Sequence, residues 1–240
     1  MTQSRDTARS NLLWVADLEA PENREMGSGL KWTKVIDEWG DYWADVANDG
    51  SKFYFYTNAD DSPNYKVVTY DLAKPEQGFK DLVPHNPDSP LTSLHIAAND
   101  QLVLLYSVDV KDELYLHSLS TGERIKRLGE GLIGSIDQIS GKREHDEMWF
   151  SMTSFTSPGT VYRYDFKDDA ALGKEKGKEV VYREAKVEGI RPGDFVSEQV
   201  FYESKDGTRV PMFVTRPKEC VPLLVPLEGC LLSLDDCAHA

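Results

Sequence analysis

Cysteine is missing from residues 1–219, and the three that exist, Cys220, Cys230 and Cys237, crowd into the end of the 240-residue chain. An odd number so placed is not a disulfide framework. The spacings do not make a C-x2-C zinc pair either, even with His239 offered as a fourth ligand. No apolar run approaches the roughly 18–20 residues that cross a bilayer. The first thirty residues, with Arg5, Asp6, Arg9, Asp17, Glu19 and Glu22, hold no apolar signal-peptide core. Basic charge is scarce: 27 Lys and Arg stand against 41 Asp and Glu, a net charge of −14. That balance argues against nucleic acid or an anionic membrane as a partner. There is no G-x-S-x-G elbow, H-E-x-x-H pair, EF-hand loop, Walker loop or G-x-G-x-x-G turn. Sustained helical periodicity is almost absent as well. Forty percent hydrophobic and 10% aromatic residues still supply a core. The chain therefore reads as soluble, cytoplasmic and globular, with room for one large domain or two small ones.

What is present is a repeat. Four similar phrases end at residues 18, 72, 119 and 166: Leu13-Trp14-Val15-Ala16-Asp17-Leu18, Val67-Val68-Thr69-Tyr70-Asp71-Leu72, Leu114-Tyr115-Leu116-His117-Ser118-Leu119 and Val161-Tyr162-Arg163-Tyr164-Asp165-Phe166. In three copies a strand precedes the phrase across a polar loop, over residues 52–57, 102–106 and 147–151. Turn residues follow each phrase, then short strands such as 123–128, 135–139 and 179–183. Four short strands in about 47 residues is the size of one β-propeller blade. An ordinary antiparallel sandwich also shows regular short strands, but the near-constant step and recurring phrase favour blades. About four blades fit before residue 190. Residues 1–10 offer no convincing outer strand for the first unit, so the chain reads as an arc that begins mid-blade.

From about residue 190 the rhythm stops. Strands over 195–202 and 209–215 flank Asp206-Gly207, which is a hairpin signature. The expected fold is all-β: a partial β-propeller over 1–190, a β-hairpin over 191–217 that would open an α/β-hydrolase domain, and an atypical, disordered tail over 218–240. Candidate chemistry is thin. Ser28 and Ser135 read as turn serines. His117 and His95 read as packed or rim positions, and His85 and His145 as loop residues, with Glu144-His145-Asp146 a solvated trio. Asp60-Asp61 and Asp168-Asp169 read as solubilising loop carboxylates, and the mixed run 174–179 as a solvated connection. Trp32, Trp39 and Trp43 read as core and inter-blade packing. No catalytic residue, metal ligand or cofactor site emerges.

Several of these stretches resemble the prolyl oligopeptidase family of serine peptidases. The likeness runs from Ser4-Arg5-Asp6 to about Pro217. It is strongest in Leu30-Lys31-Trp32, in Ser62-Pro63-Asn64-Tyr65, in Thr153-Ser154-Phe155-Thr156-Ser157-Pro158-Gly159 and in Phe201 through Phe213, where Ser204-Lys205-Asp206-Gly207-Thr208-Arg209-Val210-Pro211-Met212-Phe213 fits S-K-D-G-T-x-(V/I)-P-M-F. The resemblance implies a seven-bladed propeller capping an α/β-hydrolase domain that cleaves short peptides after proline. Residues 4–190 would be later blades, and 191–217 the first hydrolase strands. It also implies monomeric parents whose partners are short proline-containing peptides, with a propeller that restricts access. The nucleophile serine, aspartate and histidine have no counterpart here, so the chain is expected to be an inactive fragment, with Cys220, Cys230 and Cys237 by-products of a changed frame or retained intron. Arg5 and Asp6 are the one stretch expected to face the cavity between the domains. A free-standing interaction module is the alternative. Some fungal members of the family cyclise peptide-toxin precursors, and nothing in these residues separates that activity from hydrolysis.

Overall fold

A computed structural model describes residues 1–25, 29–167, 177–188 and 191–219. The readings placed on Ser28, Asp168-Asp169, the 174–176 half of the 174–179 run, His239 and the three cysteines lie outside the described residues. Seventeen described strands form five antiparallel sheets. The first sheet has three strands, β1 (Thr2–Ser4), β2 (Asn11–Val15) and β3 (Thr33–Ile36). Three four-stranded sheets follow. The second holds β4 (Trp43–Asp49), β5 (Lys52–Thr57), β6 (Lys66–Asp71) and β7 (Lys80–Val83). The third holds β8 (Leu91–Ala97), β9 (Gln101–Val108), β10 (Lys111–Ser118) and β11 (Arg124–Leu128), and the fourth β12 (Ser135–Gly141), β13 (Glu147–Ser154), β14 (Ser157–Asp165) and β15 (Glu179–Glu184). Strands β16 (Phe195–Glu203) and β17 (Arg209–Pro217) make a separate hairpin. Sequential meanders of this kind are propeller blades, and among the described residues no closed ring is formed.

The repeated phrase marks the third strand of each blade. One expectation fails: residues 1–10 do contain a strand. β1 pairs with β2 through Thr2↔Leu13 and Ser4↔Asn11, extended by the Trp14 amide donating to the Met1 carbonyl at 2.9 Å. By its place beside β2 it corresponds to the second strand of the other blades, and the first sheet has three strands among the described residues. Three polar, largely exposed residues carry no alternation, so the pattern leaves no trace in the sequence.

Consecutive residues of one strand face opposite blades, and this explains the apolar runs. Phe55 and Val68 join Leu13 and Trp43 in a core between the first and second sheets. Their neighbours Tyr54 and Val67 turn the other way, against Leu91, Leu102 and Leu104 of the third sheet. In turn Val103, Leu105 and Leu116 pack on Met148, Phe150 and Tyr164 of the fourth. Each middle blade is thus buried on both faces. Of the three tryptophans expected in the core, Trp43 is buried, whereas Trp32 and Trp39 are only half-buried.

Turn chemistry is less orderly. Asp109 and Val110 join β9 to β10 with φ of 50° and 66°. A left-handed conformation is costly for a β-branched side chain, and this one is 70% exposed with little packing in return. Val110→Gly should stabilise the chain by about 0.5–1 kcal/mol, read as a higher urea midpoint at unchanged slope. By contrast Gly122 is required. At φ 77°, a Cβ there would sit 1.9 Å from the Leu82 carbonyl oxygen of the neighbouring sheet.

His117 is buried in the third blade, and its Nδ1 donates to the Gly122 carbonyl at 2.9 Å. Burial pushes the imidazole below its usual value of 6.5, outweighing that hydrogen bond, and Arg124 adds to the effect. The fold therefore excludes the proton that the unfolded chain takes up. His117 leaves stability intact above about pH 6.5 and erodes it as pH falls below that value. Urea unfolding at about pH 7.5 and about pH 5.5 should show the loss, and His117→Asn should flatten it.

Candidate functional site

The first strands β4, β8 and β12 contact one another from sheet to sheet, so they form the inner wall of the arc. Their exposed side chains are polar: Asp45 on β4, Thr92 and Ser93 on β8, Asp137 and Gln138 on β12. Each strand carries one extra residue, though not at the same distance from its turn, with register shifts between Asp45/Ala47, Leu91/Ser93 and Ile136/Gln138. A bulge twists a strand and re-aims its side chains, so each of the three blades bends its wall strand at a place of its own. No apolar stripe was legible there, because the wall faces open space.

Alternate connections in an antiparallel meander lie at the same end of the sheet. One rim therefore holds the β1–β2, β5–β6, β9–β10 and β13–β14 turns with the sheet-to-sheet loops. The hairpin of β16 and β17 sits on this rim. The Gln199 side chain donates to the Asp109 carbonyl at 2.5 Å, and the Phe155 and Phe213 rings lie 5.3 Å apart. Ser197 shares with Leu132, Met152, Ser154 and Glu184 an open cleft of about 250 Å³. Within the hairpin turn, hydrogen bonds from the Ser204 hydroxyl and the Thr208 amide hold the Asp206 carboxyl down at about 2.

Arg5 and Asp6, the two residues expected near substrate, occupy the β1–β2 turn on that same rim. Both are exposed. The Arg5 guanidinium lies 4.4 Å from the Trp39 ring centre, a cation–π contact, and Asp6 has φ 52°. The remaining sequence candidates are dispersed. Ser135 is exposed at the start of β12. His85 accepts from the Asn64 amide, His95 bonds the Gly141 carbonyl, and Asp146 pairs with Lys167. Asp60, read as a solubilising loop residue, is largely exposed and also pairs with buried Lys66, as does Asp81, both at 3.0 Å. Desolvation opposes the Lys66 charge, but the two carboxylates outweigh it and raise its pKa. Among the described residues no serine hydroxyl is hydrogen-bonded to a histidine, and no three metal-ligating side chains come together.

Residues 1–175, which carry β1 to β14 of this polar-walled arc, match the family model described as "Prolyl oligopeptidase, N-terminal beta-propeller domain". The chain belongs to the prolyl oligopeptidase family. Among its relatives, prolyl oligopeptidase ophP of Omphalotus olearius is 40% identical over 216 residues, covering 90% of this chain and 28% of that protein. The dual function macrocyclase-peptidase POPB of Galerina marginata is 37% identical, with 90% and 28% covered. The apo structure of prolyl oligopeptidase B from Galerina marginata superposes with a TM-score of 0.81 at 36% identity, covering 91% of this chain and 29% of that one. The same enzyme bound to a 35mer hydrolysis and macrocyclization substrate gives a TM-score of 0.76. The chain thus spans less than a third of the length of the relatives it matches.

Proposed function

We propose that this chain supplies the later propeller blades of a proline-specific serine endopeptidase, where it gates the access of short proline-containing peptides to chemistry housed elsewhere in the parent. By itself it is inactive. Residues 1–190 act as the propeller part and 191–217 as the opening strands of the hydrolase domain. The observation that carries this reading is the seat of the β16–β17 hairpin on one rim of a polar-walled arc. Arg5 and Asp6 lie on that rim and face the peptide. The negative balance of charge supports peptides over nucleic acid or anionic membrane.

The experiment is an NMR titration of the labelled chain with a short proline-containing peptide. Shifts should concentrate on the Arg5 turn and on Thr92, Ser93, Asp137 and Gln138, and Arg5→Ala should weaken them. Shifts confined to the outer strands β7, β11 and β15 would count against the reading. A second reading is that the parent also macrocyclises. It is favoured by relatives named dual function macrocyclase-peptidases at 36–37% identity. Mass spectrometry of the parent's products separates the two, since ring closure releases no linear carboxylate and leaves the product one water lighter than its hydrolysed form.

A further inference from the structure

At the end of the arc away from the β16–β17 hairpin, one side chain ties three sheets together. Arg143 lies in the β12–β13 connection of the fourth sheet, and its guanidinium reaches two other sheets. Its Nε donates to the Asn99 carbonyl in the β8–β9 turn at 3.0 Å. Its two terminal nitrogens donate to the Asn48 carbonyl at 3.2 Å and to the Asp49 carboxylate at 2.6 Å, both at the end of β4. Backbone bonds reinforce the first link: the Asn99 amide donates to the Arg143 carbonyl and the Ala98 amide to the His145 carbonyl. The Tyr54 hydroxyl also donates to Asp49 at 3.0 Å, so the carboxylate is held from both sides.

The second and fourth sheets are separated by the third, and the apolar cores join only consecutive sheets. A single planar fork spanning all three means that the first-strand turns converge within the reach of one arginine. Convergence at the inner edge draws the three turns together there. The strap is also open to solvent, with the Arg143 and Asp49 side chains 31% and 49% exposed, so ions can compete for it.

We propose that Arg143 sets the bore of the channel mouth opposite the hairpin, and that release of its pairing with Asp49 widens this mouth for an extended peptide. The inference rests on the reading of the arc as a channel wall. The test is a pair of spin labels at Ser51→Cys and Glu144→Cys in the full chain, with Cys220, Cys230 and Cys237 replaced by serine. A control pair at Asp61→Cys and Val110→Cys reports the opposite rim. The expected result is a short, narrow Ser51–Glu144 distance that lengthens and broadens in Arg143→Ala, shifts partway in Arg143→Lys, and leaves the control pair unchanged. Raising salt to about 1 M, where the Debye length is about 3 Å, should lengthen the same distance with Arg143 intact, so the proposal stays testable if the alanine variant does not fold. An unchanged mouth distance under both treatments would overturn it, as would equal lengthening at both rims, which marks general loosening. Because no peptide is used, the strap and the peptide-gating role can fail separately.

Discussion

Phe55→Ala is expected to cost about 3–5 kcal/mol of unfolding free energy, the range for deleting a fully buried aromatic ring. Phe55 has 0% exposure on the central strand β5. Its ring contacts Trp43, Phe53 and Phe79 at centroid distances of 6.3, 5.9 and 6.2 Å. No nearby side chain is placed to refill the space, since Trp43 and Phe79 already pack on each other at 4.7 Å. Blades contact their neighbours in sequence, so the damage should be local. Amide exchange should accelerate first in β2, β4, β5 and β6, while β13 and β14 keep their protection. Uniform acceleration across all sheets would show that the blades unfold as one unit.

Glu113→Ala should be comparably damaging, by about 3–5 kcal/mol, for an electrostatic reason. Glu113 is 7% exposed on β10. Its carboxylate pairs with Arg127 at 3.1 Å and Lys111 at 3.8 Å and accepts from the Tyr115 hydroxyl. The hydroxyl is held above its usual value first by burial and then by this hydrogen bond. Deleting the carboxylate strands Arg127, whose Nε already has no acceptor, beside a second cation. Arg127→Leu in the Glu113→Ala background should therefore recover part of the loss, because it removes the uncompensated charge. Denaturant unfolding of the single and double variants measures the coupling. Additive losses would mean that Glu113 acts through packing alone.

These two sites mark the boundary of what the sequence carries. Phe55 sits in Phe53-Tyr54-Phe55-Tyr56, an unbroken aromatic run whose cause is burial of alternate residues against different sheets. Central strands β5 and β9 are legible for that reason, and β13 is legible from its alternation of buried and half-buried residues. The hairpin of β16 and β17 is legible from its Asp206-Gly207 turn, where Gly207 has φ 82°. Strand β1 is not, because three polar residues at an edge alternate nothing.

Polar clusters are equally silent in the sequence. Lys66 meets Asp60 in a loop and Asp81 on β7, and Glu113 meets Arg127 on β11, so partners are chosen by register between strands. Arg143 is the extreme case. In its own loop it is one charge among Lys142-Arg143-Glu144-His145-Asp146, and its partners sit 44 and about 95 residues earlier. The one available hint was the recurrence of polar turns at Asn48-Asp49-Gly50 and Ala98-Asn99-Asp100, which says where turns fall and not that they meet. The substrate-facing reading of Arg5 came from family resemblance, and the structure adds its contact with Trp39.

The central claim is that this chain shapes access to a serine peptidase without carrying its chemistry. Its most direct test is incubation of the purified chain with a proline-specific reporter peptide and a serine-directed phosphonate. The account predicts no turnover and no phosphonylated serine by intact-mass measurement. Hydrolysis after proline, with a label on any serine of the chain, would contradict it.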